Sequence, residues 1–298
     1  MMWQPLAFGY TLLLLIALLP ALSARSETEP TPDSEFPPAI AELILESRGY
    51  RLPALIYLAN GKGPHPTLVL LHGFPVNEKN LDVAQSLRRG GFNVFFFHYR
   101  GAWGAEGNYS IISQPQDVAS ALAFLRSPDN AEQFRVDTSK LSLLGHSMGG
   151  YAALAAGSRD SDLVCIGAMS PGNVGQFKLA IEDGQPSSEW LINYADSLFM
   201  LRGFSGEKLR QELLKAPLED VDLRALGPGL KGKSIFLVNG DKDTVTPADA
   251  MFMPLVEAYR RVPGLDLEEH IISGDHSFSW SRLKLTALIR DWMQRECR

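Results

Sequence analysis

The chain has 298 residues, 45% of them hydrophobic and 21% charged, which fits an ordinary globular protein with a full core and excludes a fibrous or disordered one. The formal net charge of -6 and the sequence pI near 5.6, without a long run of like charge, argue against nucleic acid as a partner. The two cysteines, Cys165 in an apolar run and Cys297 one residue from the end, have neither metal-site nor disulfide-framework spacing. Both are expected to be free thiols, Cys165 buried and Cys297 at the surface.

Residues 1–24 carry no charged side chain and centre on Thr11-Leu12-Leu13-Leu14-Leu15-Ile16-Ala17-Leu18-Leu19, the apolar region of an export signal. Small residues at Ala21 and Ser23, after the helix-breaking Pro20, predict cleavage after Ser23, with Ala24 as the next choice. The expected location is therefore secreted or periplasmic. No Lys or Arg precedes the apolar run, so the alternative is an uncleaved membrane anchor over residues 5–24, close to the spanning length of about 20 residues. Residues 24–38 form a linker with Pro30, Pro32, Pro37 and Pro38 among Ser, Thr, Glu and Asp, a composition expected to stay extended or disordered.

From residue 39 onward short apolar runs alternate with longer amphipathic stretches, which predicts an α/β fold around a mainly parallel sheet with helices on both faces. An antiparallel hairpin is expected over Ile40–Glu46 and Gly49–Leu58. Strands follow at Thr67–Leu71, Asn93–Tyr99, Lys140–Leu144, Val164–Met169, Ser234–Asn239 and Leu267–Ile272, each bounded by turn-forming residues. Helices fit Asn80–Arg89, Gln114–Leu125, Ser147–Gly157, Ala248–Arg260 and Ser279–Gln294. Residues of about 172–232 break this rhythm, with helical stretches near Glu189–Leu201 and Glu207–Leu214. Connections inside compact domains are usually far shorter, so the segment is expected to be a helical cap inserted over the sheet, against the alternative of a long crossover.

The strand Lys140–Leu144 runs into Gly145-His146-Ser147-Met148-Gly149-Gly150 and then an Ala-rich helix. This is the strand, sharp turn and helix of a nucleophile elbow, in which residues two before and two after the serine must lack a side chain. A serine hydroxyl needs a base to take its proton and a carboxylate to orient that base. Both follow the serine in chain order on such a scaffold. His276, in the loop Ser273-Gly274-Asp275-His276-Ser277, is chosen over His270, which falls inside a predicted strand. For the acid, Asp243 in Asn239-Gly240-Asp241-Lys242-Asp243 is chosen over Asp241, which sits so near the strand end that it is expected to serve the turn. Asp220 and Asp222 are remote alternatives. Two backbone N–H groups should meet the developing oxyanion: that of Met148, and that of Phe74 in the loop His72-Gly73-Phe74-Pro75, which His72 is expected to brace.

These four motifs, in this order, resemble the α/β-hydrolase superfamily from residue 40 onward. With Tyr99-Arg100-Gly101-Ala102-Trp103-Gly104 and Asp275-His276-Ser277-Phe278 added, the chain is most similar to the prolyl oligopeptidase and dienelactone hydrolase branches. Two departures qualify this resemblance. The stretch before residue 40 is too short for the β-propeller that gates the peptidases, and the dienelactone branch typically uses cysteine where Ser147 stands.

The expected activity is serine hydrolysis of a carboxylic ester through an acyl-enzyme. The alternatives are aminopeptidase or acyl-peptide hydrolase chemistry, which would need a subsite for a peptide terminus and for which Glu182 and Asp183 are candidate anions, and acyl transfer on the same triad. A small ester or short peptide is the expected substrate, with Trp103 and Trp190 as candidate pocket walls and Phe199 and Phe204 as weaker ones. Neither a metal nor an organic cofactor is expected, since no ligand cluster or dinucleotide fingerprint is present.

Overall fold

The computed structural model describes residues 29–74 and 78–298. The expected export signal, the first residues of the linker and Pro75 of the predicted oxyanion loop lie outside the described residues. Among the described residues no helix is long and apolar enough to cross a membrane.

In chain order the elements are β1 (Ala39–Ser47), β2 (Tyr50–Leu58), β3 (His65–Leu71), α1 (Leu81–Arg89), β4 (Asn93–Phe97), α2 (Gln114–Arg126), α3 (Pro128–Gln133), β5 (Val136–His146), α4 (Met148–Gly157) and β6 (Cys165–Met169). They continue with α5 (Val174–Glu182), α6 (Pro186–Asp196), α7 (Gly206–Lys215), α8 (Leu218–Val221), β7 (Ser234–Gly240), α9 (Met253–Arg260), β8 (Asp266–Ile272) and α10 (Arg282–Glu296). The strands form one sheet in the order β1-β2-β4-β3-β5-β6-β7-β8. Its pairs are parallel from β4 to β8, and β2 is antiparallel to both β1 and β4.

Burial follows this topology. β4 and β6 are buried at every position, as strands covered on both faces must be, whereas β1 alternates along most of its length because it borders solvent. Arg48 and Gly49 both have positive φ, 52° and 83°, the two-residue turn that matches the twist of a hairpin. It sets Ser47 opposite Tyr50. α1 and α10 pack Val83, Leu87, Leu285, Ile289 and Trp292 on one face of the sheet. α2, α4 and α9 pack Val118, Leu122, Leu154, Val256 and Tyr259 on the other.

The connection from β6 to β7 carries α5 to α8 as a helical cap. The Tyr99–Gly104 segment attaches it to the core. Ala102 bridges Leu201, Trp103 N–H donates to the Met200 carbonyl at 3.2 Å and Arg202 N–H to the Gly101 carbonyl at 2.7 Å. Beneath this seam, Arg100 Nε donates at 2.7 Å to the buried carboxylate of Asp117, which also accepts from Ser47 at 2.6 Å.

Two expectations are corrected. The Pro-rich segment is tied down over residues 31–36: Asp33 N–H donates to Asn60 at 2.7 Å, Asn60 Nδ2 to the Thr31 carbonyl at 2.9 Å, and Gly61 N–H to the Phe36 carbonyl at 2.9 Å. Arg135 adds its guanidinium over the Phe36 ring at 5.6 Å. Composition had pointed to an extended or disordered linker because it does not reveal these partners, on the β2–β3 loop and just before β5.

The cysteines form a disulfide, Cys165–Cys297, across a sequence separation of 132. α10 packs back along the sheet and brings the chain end to β6, a proximity that sequence spacing does not show. The closed loop is long, so Cys297→Ser is expected to lower stability by about 2–5 kcal/mol through the unfolded-state entropy it restores. Thermal unfolding should shift down by about 5–10 °C, and reductant added to the wild type should reproduce the shift.

Candidate active site

The last residue of β5, the following serine and the first of α4 form the turn on which the site is built. Ser147 has φ 56° and ψ -119°, a region that costs a non-glycine residue of order 1–3 kcal/mol and persists only where its surroundings hold it. They do so here. Ser147 N–H donates to the Met169 carbonyl at 2.8 Å, and the Ser147 carbonyl accepts from Gly150 at 2.9 Å and Gly172 at 3.0 Å. A Cβ on Gly145 would overlap the Gly149 carbonyl and Gly150 nitrogen, and one on Gly149 would overlap the Leu71 and His72 carbonyls. The helix start is thereby packed directly on the ends of β3 and β5.

Ser147 Oγ lies 2.9 Å from His276 Nε2, and His276 Nδ1 lies 2.8 Å from Asp243 Oδ2. The acid side chain is fully buried and the imidazole is 19% exposed. Asp243 Oδ1 accepts from the N–H groups of Val245 and Thr246, each at 2.8 Å, and Oδ2 accepts from the Thr246 hydroxyl at 2.7 Å. Nδ1 therefore carries the proton toward the carboxylate, and Nε2 presents a lone pair to the serine hydroxyl. Burial opposes ionisation of Asp243, but the His276 hydrogen bond and charge, together with the Thr246 donors, outweigh it and hold the carboxyl at about 2.

Because this folded-state value lies below the ordinary 3.8, the carboxylate adds stability above about pH 4 that is lost as the pH falls through about 2. Asp243→Asn is expected to flatten that part of the acid-unfolding curve, which a paired acid titration of wild type and variant measures.

The other expected residues sort clearly. His270 sits in β8 with Nε2 2.8 Å from Glu268. Asp241 accepts the Gly274 N–H at 3.0 Å and serves the turn. Asp222 is held by Asn173 at 2.8 Å and by Arg224 at 2.6 Å, and Asp220 faces Arg159 at 3.4 Å. None of these four is among the partners of His276 just described.

In the loop predicted to supply an oxyanion donor, a Cβ on Gly73 would stand 3.0 Å from Ser147 Cβ, so the loop abuts Ser147. His72 Nδ1 donates to the Gly73 carbonyl at 2.9 Å. In a trans peptide the N–H points away from the carbonyl, so this bond also fixes the direction of the Phe74 N–H. Burial lowers the His72 pKa to about 3, which keeps the ring neutral in that role. Met148 is the first residue of α4, where backbone N–H groups have no intrahelical acceptor.

Trp190 stacks on Tyr194 at 5.4 Å, and Tyr194 meets the Phe74 ring at 6.0 Å. Phe204 packs on Phe74 at 5.7 Å, whereas Phe199 is 91% exposed. Trp103 instead has its ring 6.5 Å from that of His98 and 5.8 Å from Lys79 Nζ. These contacts place Trp190, but not Trp103, in an aromatic chain leading to Phe74.

One functional contact escaped the sequence. His146 Nε2 donates to the backbone carbonyl of His276 at 2.7 Å, with the two rings 4.8 Å apart. Burial lowers its pKa to about 3, helped by the neighbouring His276. No local pattern announces a bond across 130 residues. A readable signal was passed over at Asn173, which caps α5 by accepting the Gly175 N–H at 3.1 Å.

This sheet, with the strained serine turn after β5 and an acid and a histidine after β7 and β8, defines an alpha/beta hydrolase. Residues 68–298 match that family, and the chain belongs to it. No curated protein matches the chain by sequence. Among solved structures it is similar to DcsB, in complex with its substrate analogue, with 16% identity and a TM-score of 0.67 over 87% of this chain and 99% of that one. Est1E from Butyrivibrio proteoclasticus gives 16% and 0.63 over 85% and 98%. The acylaminoacyl peptidase of Pyrococcus horikoshii gives 15% and 0.65 over 87% of this chain and 42% of that one. At these identities the likeness is one of fold.

Proposed function

We propose that the chain is an exported serine hydrolase that cleaves carboxylic esters through an acyl-enzyme. The observation carrying this reading is the unbroken hydrogen-bond chain Ser147–His276–Asp243 at a strained elbow. Ser147 Oγ attacks the ester carbonyl while its proton passes to His276 Nε2. The tetrahedral oxyanion is met by the N–H groups of Phe74 and Met148. The carbon–oxygen bond to the alcohol then breaks, and His276 returns the proton to the leaving oxygen. Water, deprotonated by the same imidazole, releases the acid and restores the serine. Asp243 orients the imidazole and offsets its transient charge.

Esters are favoured over peptides because ester cleavage needs less help for its leaving group, and one of the two candidate anions for a peptide amine, Glu182, is paired with Lys178 at 2.6 Å. A panel of 4-nitrophenyl acetate, 4-nitrophenyl butyrate and aminoacyl 4-nitroanilides tests this. The expected result is a kcat/KM for the esters at least about 100-fold above that for the anilides, since amide cleavage needs more help for its leaving group; a preference for anilides would overturn it.

Export is supported by the apolar N-terminal stretch together with the Cys165–Cys297 disulfide, because such bonds persist mainly outside the reducing cytosol. The mature N-terminus should begin at Ala24. An intact Met1 recovered in the membrane fraction would favour the anchored form.

A further inference from the structure

The side chain of Phe74 is enclosed by rings from two parts of the chain. Tyr109, from the loop between β4 and α2, stacks on it at 5.9 Å and an interplanar angle of 23°. From the cap, Tyr194 of α6 and Phe204, just before α7, meet it edge to face at 6.0 Å and 5.7 Å. We propose that Phe204, together with Tyr194, is a positioning residue: the docked cap holds Phe74 where its N–H meets the oxyanion. The inference rests on the serine-esterase reading, with Phe74 as one of its two donors.

The N–H of Phe74 lies in the Gly73–Phe74 peptide plane, which runs from the Gly73 carbonyl to the Phe74 Cα. His72 Nδ1 holds the carbonyl end at 2.9 Å. The Cα end is held through the Phe74 side chain, and so by the rings around it. This peptide abuts Ser147, since a Cβ on Gly73 would stand 3.0 Å from Ser147 Cβ. Small shifts matter there, because a donor stabilises an oxyanion only from about 2.7–3.1 Å away.

The rings differ in what anchors them. Tyr109 is a fixed post on the core, buried and with its hydroxyl accepting from Gln114 Nε2 at 2.6 Å. Phe204 packs on this post at 5.0 Å as well as on Phe74, so one cap ring wedges against both. The chain just before Phe204 is docked on the same loop. Tyr109 N–H donates to the Arg202 carbonyl at 2.9 Å, and Gly203 lies against the Asn108 side chain. Tyr194 is anchored separately, on α6, where it stacks on Trp190 at 5.4 Å. Two cap elements and one core loop thus converge on a single side chain, and edge-to-face contacts of this kind fix ring orientation.

The test measures hydrolysis of 4-nitrophenyl acetate and 4-nitrophenyl butyrate, and inhibition by butyl trifluoromethyl ketone, in the full chain and three variants. Ser147 adds to the ketone carbonyl, its proton passes to His276, and the ketone oxygen becomes an anion before the same two donors. Phe204→Ala is expected to lower kcat/KM by about 30-fold for both esters and to weaken ketone binding by the same factor. Tyr194→Ala should do the same by about 10-fold. Phe204→Tyr, which keeps the ring, should stay within about 3-fold of the wild type in both measures. Because Tyr194 stands on a different helix, its variant decides the matter even where Phe204→Ala folds poorly. Ketone affinity unchanged in both alanine variants overturns the proposal. So does a loss that differs several-fold between acetate and butyrate, the mark of a direct contact with the acyl group. Failure of the underlying reading looks different: the wild type would hydrolyse neither ester, or Ser147→Ala would hydrolyse both equally well.

Discussion

Replacing Ser147 with Ala should reduce ester kcat/KM by about 10⁴- to 10⁶-fold and abolish labelling by a fluorophosphonate probe, with the fold intact. The size follows from the geometry. Ser147 Oγ sits 2.9 Å from its base, and the base is already set in one tautomer by the buried Asp243. Removing the hydroxyl therefore removes covalent catalysis as a whole, and only substrate positioning and the oxyanion donors remain, which is why the loss is large but finite. Alanine also relieves no clash and creates none, since it keeps the Cβ that already occupies the turn. Circular dichroism and thermal unfolding should match the wild type closely. Probe labelling that survives in Ser147→Ala would place the nucleophile elsewhere.

The second large effect concerns folding. Gly145→Ala should cost more than about 4 kcal/mol, a large fraction of the 5–15 kcal/mol that holds a typical domain. The added methyl would overlap the backbone of Gly149 and Gly150, and no rotamer change can relieve a backbone overlap. Gly172→Ala is the contrasting control. There the nearest atoms stand at 3.6 Å or beyond, an ordinary contact, so its stability should change by about 0.5 kcal/mol or less. Differential scanning of the two variants should show a Tm lowered by about 10 °C or more for Gly145→Ala and nearly unchanged for Gly172→Ala.

The sheet was legible because its strands are short apolar runs between turn residues, a signal carried by a few consecutive side chains. All six core strands and the hairpin were anticipated, with ends that shift by a few residues. Where ends moved, a local competitor explains it. The helix expected over Ala248–Arg260 is a π-helical turn over Ala248–Phe252 followed by α9, because Pro254 supplies no N–H to continue the ladder backwards. The final helix begins at Arg282 rather than Ser279, since both the N–H and the hydroxyl of Ser279 bond the Asp275 carboxylate.

Ser147, His276 and Asp243, which the structure brings together, were readable because each sits at a strand end in a fixed order. The surroundings were not. The Thr246 hydroxyl on Asp243, the His146 bond to His276 and the Cys165–Cys297 link join parts of the chain that only the tertiary structure brings together. The cap was visible as an interruption of the strand–helix rhythm, but α5 was missed within it.

The bond from His146 to the His276 carbonyl bears on how a substrate arrives. His146 immediately precedes Ser147, so the serine turn and the histidine loop are fastened twice, once through side chains and once through the main chain. A retreat of the histidine loop would have to break both fastenings and leave a buried imidazole N–H without an acceptor. Ser147 and His276 are thus fastened to one another at two points, and an opening of the site would come from the side of the cap, whose seam with the Tyr99–Gly104 segment is the Ala102–Leu201 bridge and the two hydrogen bonds that flank it.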